Sequence, residues 1–219
     1  MGQRAVAKEN RRSRILAAAV TVITRDGSFT GLSMRKVAEE AGVSVTTLYN
    51  LFGSKEEIRL ALVGDLIDGV DHALARSPSE NPIERLEASI TIGAAHLTKY
   101  GILSRVALLA NIEAPMEDDP AAARSIEIQC GALKAAIDAG ILQTDLSPDL
   151  LAEQIYAGFR HAANDWACER LDANGLRDRA LYTLYVCLLA VAKRKLRPQL
   201  VASIQQVERR LRRRSRQAA

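Results

Sequence analysis

Aromatic residues are scarce in this chain, and that scarcity is the first constraint on its fold. Only 4% of its 219 residues are Phe, Trp or Tyr, while Ala and Leu are abundant, a balance that favours helix over sheet. No stretch alternates apolar and polar residues as a half-buried strand would. Cysteine is sparse too: Cys130, Cys168 and Cys187 stand far apart with no C-x-x-C spacing. Reduced thiols are therefore expected, rather than a disulfide framework or a zinc site. The histidines, His72, His96 and His161, are equally scattered, so neither a metal nor a cofactor is expected. No glycine-rich phosphate loop, HExxH or G-x-S-x-G sequence occurs, which argues against an enzyme. The longest apolar run, Ala180 to Ala192, is interrupted by Thr183 and is too short to span a bilayer. The N-terminus is polar and charged, so a cytoplasmic protein without a membrane partner is expected.

Charge is present but unevenly placed. The net charge of +4 divides into +4 over residues 1–62, −9 over 63–192 and +9 over 193–219. An acidic middle would be repelled by a polyanion, so any nucleic-acid contact is expected at the basic ends.

The most informative stretch is Ser33 to Phe52, SMRKVAEEAGVSVTTLYNLF. Ser33 is suited to cap a first helix whose inward positions are Val37 and Ala38. Gly42 accepts the left-handed conformation that closes a helix. Ser44 caps a second helix, and Ala38, Val43 and Leu48 fall where the two would cross. Val45, Thr46, Thr47, Tyr49 and Asn50 are left on the outer face, small or polar groups able to approach a polar surface. A helix, short turn and helix of this form is the DNA-reading helix-turn-helix, although such pairs also occur in helical proteins that never touch DNA. The next residues, Gly53-Ser54-Lys55-Glu56-Glu57, read as a capping box opening another helix. Lys55 stands on that helix's first turn, where the dipole disfavours a cation and a nearby phosphate would offset the cost.

The spacing predicts a loose arm over Met1–Asn10 and a helix over Arg11–Arg25, with Ile15, Leu16, Ala19, Val22 and Ile23 on one face. Phe29 and Leu32 cover the join to the two-helix unit. Arg4, Lys8, Arg11, Arg12 and Arg14 cluster where phosphate or minor-groove contact is possible. Ser54 to about Ala75 is a longer helix with Ile58, Leu62, Leu66 and Val70 as its stripe, a lever between head and acidic body. A turn over Ser77–Pro82 follows, then helices over Pro82–Tyr100, Ile102–Asn111, Pro120–Ala139, Pro148–Arg170 and Gly175–Lys195. The predicted architecture is all-α: residues 1–53 a helix-turn-helix head, 54–197 a ligand-binding and dimerisation body with 54–75 as connecting helix, and 198–219 a basic extension.

Residues 180–192 are apolar nearly all round, and such a helix must be covered on every side. A partner subunit is the simplest cover, giving a four-helix seam from Leu151, Ile155, Gly158, Ala162 and Trp166 with Leu181, Leu184, Tyr185 and Leu188. A single helix buried inside a monomer is the rival. In the body, Ile92, His96 and Tyr100 share a semi-polar face and Ile126 and Cys130 a second register; with Tyr156 and Phe159 they are candidates to line a cavity for an apolar or amphipathic molecule. In the extension, Leu200, Ile204, Val207 and Leu211 recur at helical spacing, and docking on the acidic body is favoured over a DNA-touching arm or a membrane-surface helix.

Taken in register, Ile15–Asp26, Ser33–Phe52 and the Gly53–Glu57 junction resemble the tetracycline-repressor (TetR-like) family of transcriptional regulators. The resemblance covers about the first sixty residues by motif. Leu51 departs from it, since many members carry a His there. What the resemblance implies is a homodimeric repressor whose two heads bind adjacent major grooves of a palindromic operator, about 34–36 Å apart, and which a small molecule releases by moving the lever helix. By match, Thr46, Thr47 and Asn50 would approach base edges. Ser44, Tyr49 and Lys55 would contact phosphates, as would Ser33 or Arg35. A ligand-independent architectural DNA-binding protein is the alternative.

Overall fold

The computed structural model describes residues 3–28, 31–76, 79–110, 112, 115–116 and 119–217. Ten helices follow one another among them: α1 Gln3–Asp26, α2 Met34–Ala41, α3 Val45–Phe52, α4 Lys55–Ala75, α5 Pro82–Lys99, α6 Gly101–Ala110, α7 Pro120–Asp138, α8 Pro148–Ala167, α9 Ala173–Val191 and α10 Arg197–Gln217. Extended pairing among the described residues is confined to an isolated antiparallel bridge between Leu142 and Ala192, which fastens the α7–α8 loop to the end of α9. Phe29, Ser77, Pro78 and much of the Asn111–Pro120 loop lie outside the described residues.

Helix ends follow the local chemistry. Ser33 Oγ accepts from Lys36 N–H at 3.2 Å, and Ser44 Oγ from Thr47 N–H at 3.1 Å, each satisfying a donor that its helix leaves free. Gly42 ends α2 at φ 62°, and Val43 N–H reaches back to Ala38 O at 3.0 Å, the two-bond closure that glycine permits. Only half of the expected capping box forms. Ser54 Oγ accepts from Glu57 N–H at 3.1 Å, but Ser54 N–H donates to Phe52 O at 2.8 Å instead of to Glu57.

The expected N-terminal arm is corrected: α1 is already helical at Gln3. Ala, Lys and Glu in this stretch are good helix formers, and their propensity continues the helix beyond its buried stripe.

Two apolar clusters divide the molecule. The head cluster joins Ile15, Ala19, Val22 and Ile23 of α1 to Val37, Ala38, Leu48, Phe52, Ile58 and Leu62. Leu103 and Val106 of α6 belong to it as well, so the head rests directly on the body. The body cluster gathers α5, α7, α8, α9 and α10 around Leu86, Ile90, Leu133, Ile155, Leu184 and Leu188, each at most 1% exposed. α4 runs from one cluster to the other: Ile58 and Leu62 are buried in the head, and its second half faces α5 and α7.

The all-round apolarity of α9 finds most of its cover within the same chain. α8 and α5 pack on two sides and α10 on a third. Leu200 and Val207 of α10 are 2% and 1% exposed, with Ile204 and Leu211 packed beside them. α10 is also pinned by charge. Asp178 of α9 is fully buried, and Arg210 Nη2 and Arg214 Nη1 reach its carboxylate at 3.0 and 3.3 Å. Where α8 crosses α9 the helices touch at Gly158, and a Cβ added there would overlap the Thr183 side chain, standing 2.8 Å from its Cβ. Gly158→Ala is therefore expected to destabilise the fold by about 1–2 kcal/mol, the overlap with Thr183 (about 1–3 kcal/mol) outweighing the gain of about 1 kcal/mol that Ala brings to a helix interior; a urea midpoint equal to the parent's would contradict this crossing.

Candidate nucleic-acid interface and ligand cavity

On α3 the apolar side chains Leu48 and Phe52 turn inward, at 0% and 5% exposure. The opposite face carries Val45, Thr46, Tyr49 and Asn50, all exposed, with Tyr49 half in solvent. Ser44 at the cap is exposed too. Thr47 is different: it is half-buried, and its hydroxyl lies 2.8 Å from Ser44 Oγ. It braces the cap more than it faces outward. Ser33 is exposed beside its capping bond, and Arg35, its side chain 83% exposed, pairs with Glu39 at 3.0 Å. Exposed pairs of this kind hold weakly and can exchange partners. Lys55 is exposed at the first position of α4.

Of the basic cluster in α1, Lys8, Arg11 and Arg14 are exposed. Arg12 is committed: its guanidinium stacks 4.6 Å from the Phe52 ring centroid. That cation–π contact ties α1 to the end of α3, and neither helix's own pattern announces it. Lys36 is likewise taken, donating to Asp26 Oδ2 at 2.7 Å.

The body holds a cavity of about 140 Å³ among α4, α5, α6, α7 and α8. Its apolar wall includes Leu66, Ile67, Val70 and Leu74 of the lever helix. Of the residues expected to line a cavity, His96, Tyr156 and Phe159 do so. Ile92, Tyr100, Ile126 and Cys130 do not. Tyr100 is 42% exposed beyond the end of α5, with its ring 4.7 Å from that of His96. Ile126 and Cys130 pack into the body core, and the Cys130 thiol donates to Asp149 Oδ1 at 2.9 Å. The strongest apolar stripe of α7 went to the core. Its semi-polar face, Arg124, Ser125, Ile128 and Gln129, went to the cavity, and the i, i+4 spacing of polar residues beside that stripe was the available signal.

Charges around the cavity are paired. Arg124 Nε meets Asp71 Oδ2 at 2.7 Å, linking the lever helix to α7. Tyr156 OH donates to Asp119 Oδ2 at 2.7 Å, and Arg160 Nε lies 3.9 Å from the same oxygen. Burial and the Asp119 carboxylate both raise the Tyr156 phenol's pKa, keeping it a neutral donor. Burial lowers the His96 pKa, with Lys99 adding to the effect, so the imidazole is neutral at neutral pH. A Cβ on Gly69 of α4 would overlap the His96 ring, standing 2.7 Å from Nε2. The ring therefore rests directly on the lever helix's backbone.

The expected seam residues are corrected by burial. Ile155, Ala162, Trp166, Leu181, Leu184, Tyr185 and Leu188 are all under 9% exposed within the one chain and cannot also form an outer surface. The Trp166 ring is covered by Arg105, 4.6 Å away. Leu151 and Gly158 remain half-buried. The outward strips of the two helices are Gln154, Gly158, His161 and Asp165 on α8, and Arg179, Thr183, Val186 and Ala190 on α9. Both have i, i+4, i+7, i+11 spacing, and they meet at Gly158 and Thr183.

Among the described residues no group of three or more His, Cys, Asp or Glu gathers as a metal would need, and no helix is long and apolar enough to cross a membrane.

The capped helix-turn-helix head, set on a cavity-bearing helical body, is similar to the TetR family of bacterial regulatory proteins. The family "Bacterial regulatory proteins, tetR family" matches residues 15–62. The HTH-type transcriptional repressor KstR of Rhodococcus jostii is 35% identical over 81 residues, 37% of this chain and 38% of that protein. An uncharacterized HTH-type transcriptional regulator of Haemophilus influenzae is 39% identical over 64 residues, 29% of this chain and 31% of its own length. The aligned stretch thus spans about a third of these curated relatives. Solved structures extend the likeness in fold. SmeT, the repressor of the Stenotrophomonas maltophilia multidrug efflux pump SmeDEF, superposes with a TM-score of 0.69 at 19% identity, over 84% of this chain and 91% of that one. FadR of Bacillus subtilis in complex with stearoyl-CoA gives 0.65 at 21% identity, over 82% and 98%.

Proposed function

We propose that this protein is a transcriptional regulator that binds a palindromic operator as a homodimer and is released by a small molecule entering the body cavity. The outer face of α3 carries the reading: Val45, Thr46, Tyr49 and Asn50 stand exposed between two capped helix ends, on a helix fixed from behind by Leu48 and Phe52. Such a helix fits the major groove, with Asn50 suited to bidentate pairing with adenine and Ser44, Tyr49, Lys55 and Arg35 placed toward phosphates. The outward strips of α8 and α9 are the surface on which a second copy is expected to pack, with the helix pairs crossing near Gly158 and Thr183. The cavity favours this reading over a ligand-independent architectural binder, which needs no space in its body.

Selecting bound duplexes from a random pool, then screening small molecules for release of the selected DNA, tests the whole reading. A monomer at micromolar concentration that retains no preferred sequence would end it. Asn50→Ala is expected to erase about 1–3 kcal/mol of preference for the selected site while leaving scrambled DNA nearly unaffected. Lys55→Ala is expected to weaken both DNAs alike and to shallow the slope of log affinity against log salt by about one. Equal losses on both duplexes for Asn50→Ala would remove Asn50 from the base-reading set.

A further inference from the structure

Among the described residues, three buried side-chain polar atoms have no hydrogen-bond partner: His96 Nε2, Ser104 Oγ and Gln129 Oε1. All three belong to residues that line the one cavity described above. Ser104 and Gln129 are 0% and 3% exposed, so water does not reach them from outside. An unsatisfied buried polar atom is costly; His96 Nε2 lies against the Gly69 backbone, which leaves Ser104 and Gln129 as the two unpartnered groups of the wall. The charged groups of the same wall tell the opposite story. Asp71, Asp119, Arg124 and Arg160 are already engaged with one another, and Asp119 also caps α7 by accepting from Ala121 N–H at 3.0 Å.

We infer that the cavity selects an uncharged, compact and mostly apolar molecule carrying at least one hydrogen-bond donor, read by Gln129 and Ser104. This rests on the reading of the cavity as the effector site. An anionic head would find both arginines paired and two carboxylates nearby. A purely apolar molecule would leave Gln129 Oε1 unsatisfied, whereas a hydroxyl can donate to that oxygen and still accept from Ser104. The volume, about 140 Å³, resembles that of an engineered apolar cavity of about 150 Å³ that holds benzene, so a body of roughly one ring fits without opening.

The test is calorimetric titration of the full chain at pH 7.5 with 4-ethylphenol, 4-ethylbenzoate and ethylbenzene. The expected result is that 4-ethylphenol binds at least about tenfold more tightly than either other probe, the factor of one well-made neutral hydrogen bond. In Gln129→Leu and in Ser104→Ala that advantage over ethylbenzene should shrink while ethylbenzene still binds. Equal or tighter binding of 4-ethylbenzoate, or a phenol advantage that survives both variants, overturns the head-group inference. Ethylbenzene binding with no phenol advantage in the parent does the same but leaves the cavity as the effector site. Failure of all three probes to bind the parent overturns the cavity reading itself, and the inference with it. Should either variant fold poorly by circular dichroism, the parent's probe series decides the question by itself.

Discussion

Replacing Arg210 and Arg214 together by leucine is expected to lower the unfolding free energy by about 3 kcal/mol or more, and by more than replacing their shared partner. Asp178 is fully buried on α9 and cannot reach water. Arg210 Nε lies 3.1 Å from both of its oxygens, and Arg214 Nη1 lies 3.3 Å from Oδ2. The arginine side chains are 34% and 30% exposed. The two sides of the cluster are therefore unequal. Without the arginines, a buried carboxylate keeps, among the described residues, Arg177, 3.3 Å away and 39% exposed. Without the carboxylate, the guanidinium groups can turn outward and be hydrated. Asp178→Asn keeps the shape and an acceptor oxygen, so its expected cost is about 1–2 kcal/mol. Urea is the right denaturant, because guanidinium chloride would screen the charges being measured. A larger loss for Asp178→Asn than for the arginine pair would contradict this ordering, and losses under about 0.5 kcal/mol for both would show that α10 is held by its apolar stripe and not by this cluster.

That cluster also marks where sequence reasoning stopped. The charges of the middle and end segments, −9 and +9, suggested docking in general but did not point to Asp178, because one buried aspartate looks like any other in a list of charges. The head was legible because its determinants are local. Ser33, Gly42, Ser44 and Ser54 each act within one turn of themselves, and Ala38 and Leu48 cross at a spacing fixed by a short link. The faces of α8 and α9 were harder. A helix apolar all round does not say which side meets its own chain, and α10 took the cover that a second subunit had been assigned. The polar positions were the better guide: Gln154, His161 and Asp165 on α8 and Arg179 on α9 lie on one outward strip each. On α7 the regular stripe through Ile126, Cys130, Leu133 and Ile137 packs into the core, including Ile126 and Cys130, which were expected at the cavity. Cores claim the most apolar face of a helix, and a cavity for a polar-headed ligand is left with the next one. The Arg12–Phe52 stack and the half-made capping box lay beyond pattern, since both depend on where a neighbouring backbone happens to run.

Gly69→Ala is expected to be destabilising in the parent and stabilising once His96 is gone. The two halves of that statement come from competing terms. In a helix interior, Gly to Ala gains about 1 kcal/mol from the backbone alone. Against this, the new Cβ would overlap the His96 ring, and overpacking of a filled site costs about 1–3 kcal/mol. With His96→Ala in the background the overlap disappears and only the gain remains, so the cycle should show a coupling of about 1–3 kcal/mol. Operator affinity separates the two ways of relieving the overlap. If α4 moves away from α5, the head it carries moves with it. Gly69→Ala should then weaken operator binding about tenfold, a shift of about 1.4 kcal/mol, and the double variant should recover it. If the ring alone swings aside, stability couples but DNA binding does not. We expect the first, because α4 is buried in the head through Ile58 and Leu62 yet meets the body around Gly69 through the His96 ring. An additive cycle, within about 0.5 kcal/mol, or an operator affinity unmoved by Gly69→Ala, would mean that this contact does not couple the cavity to the reading head.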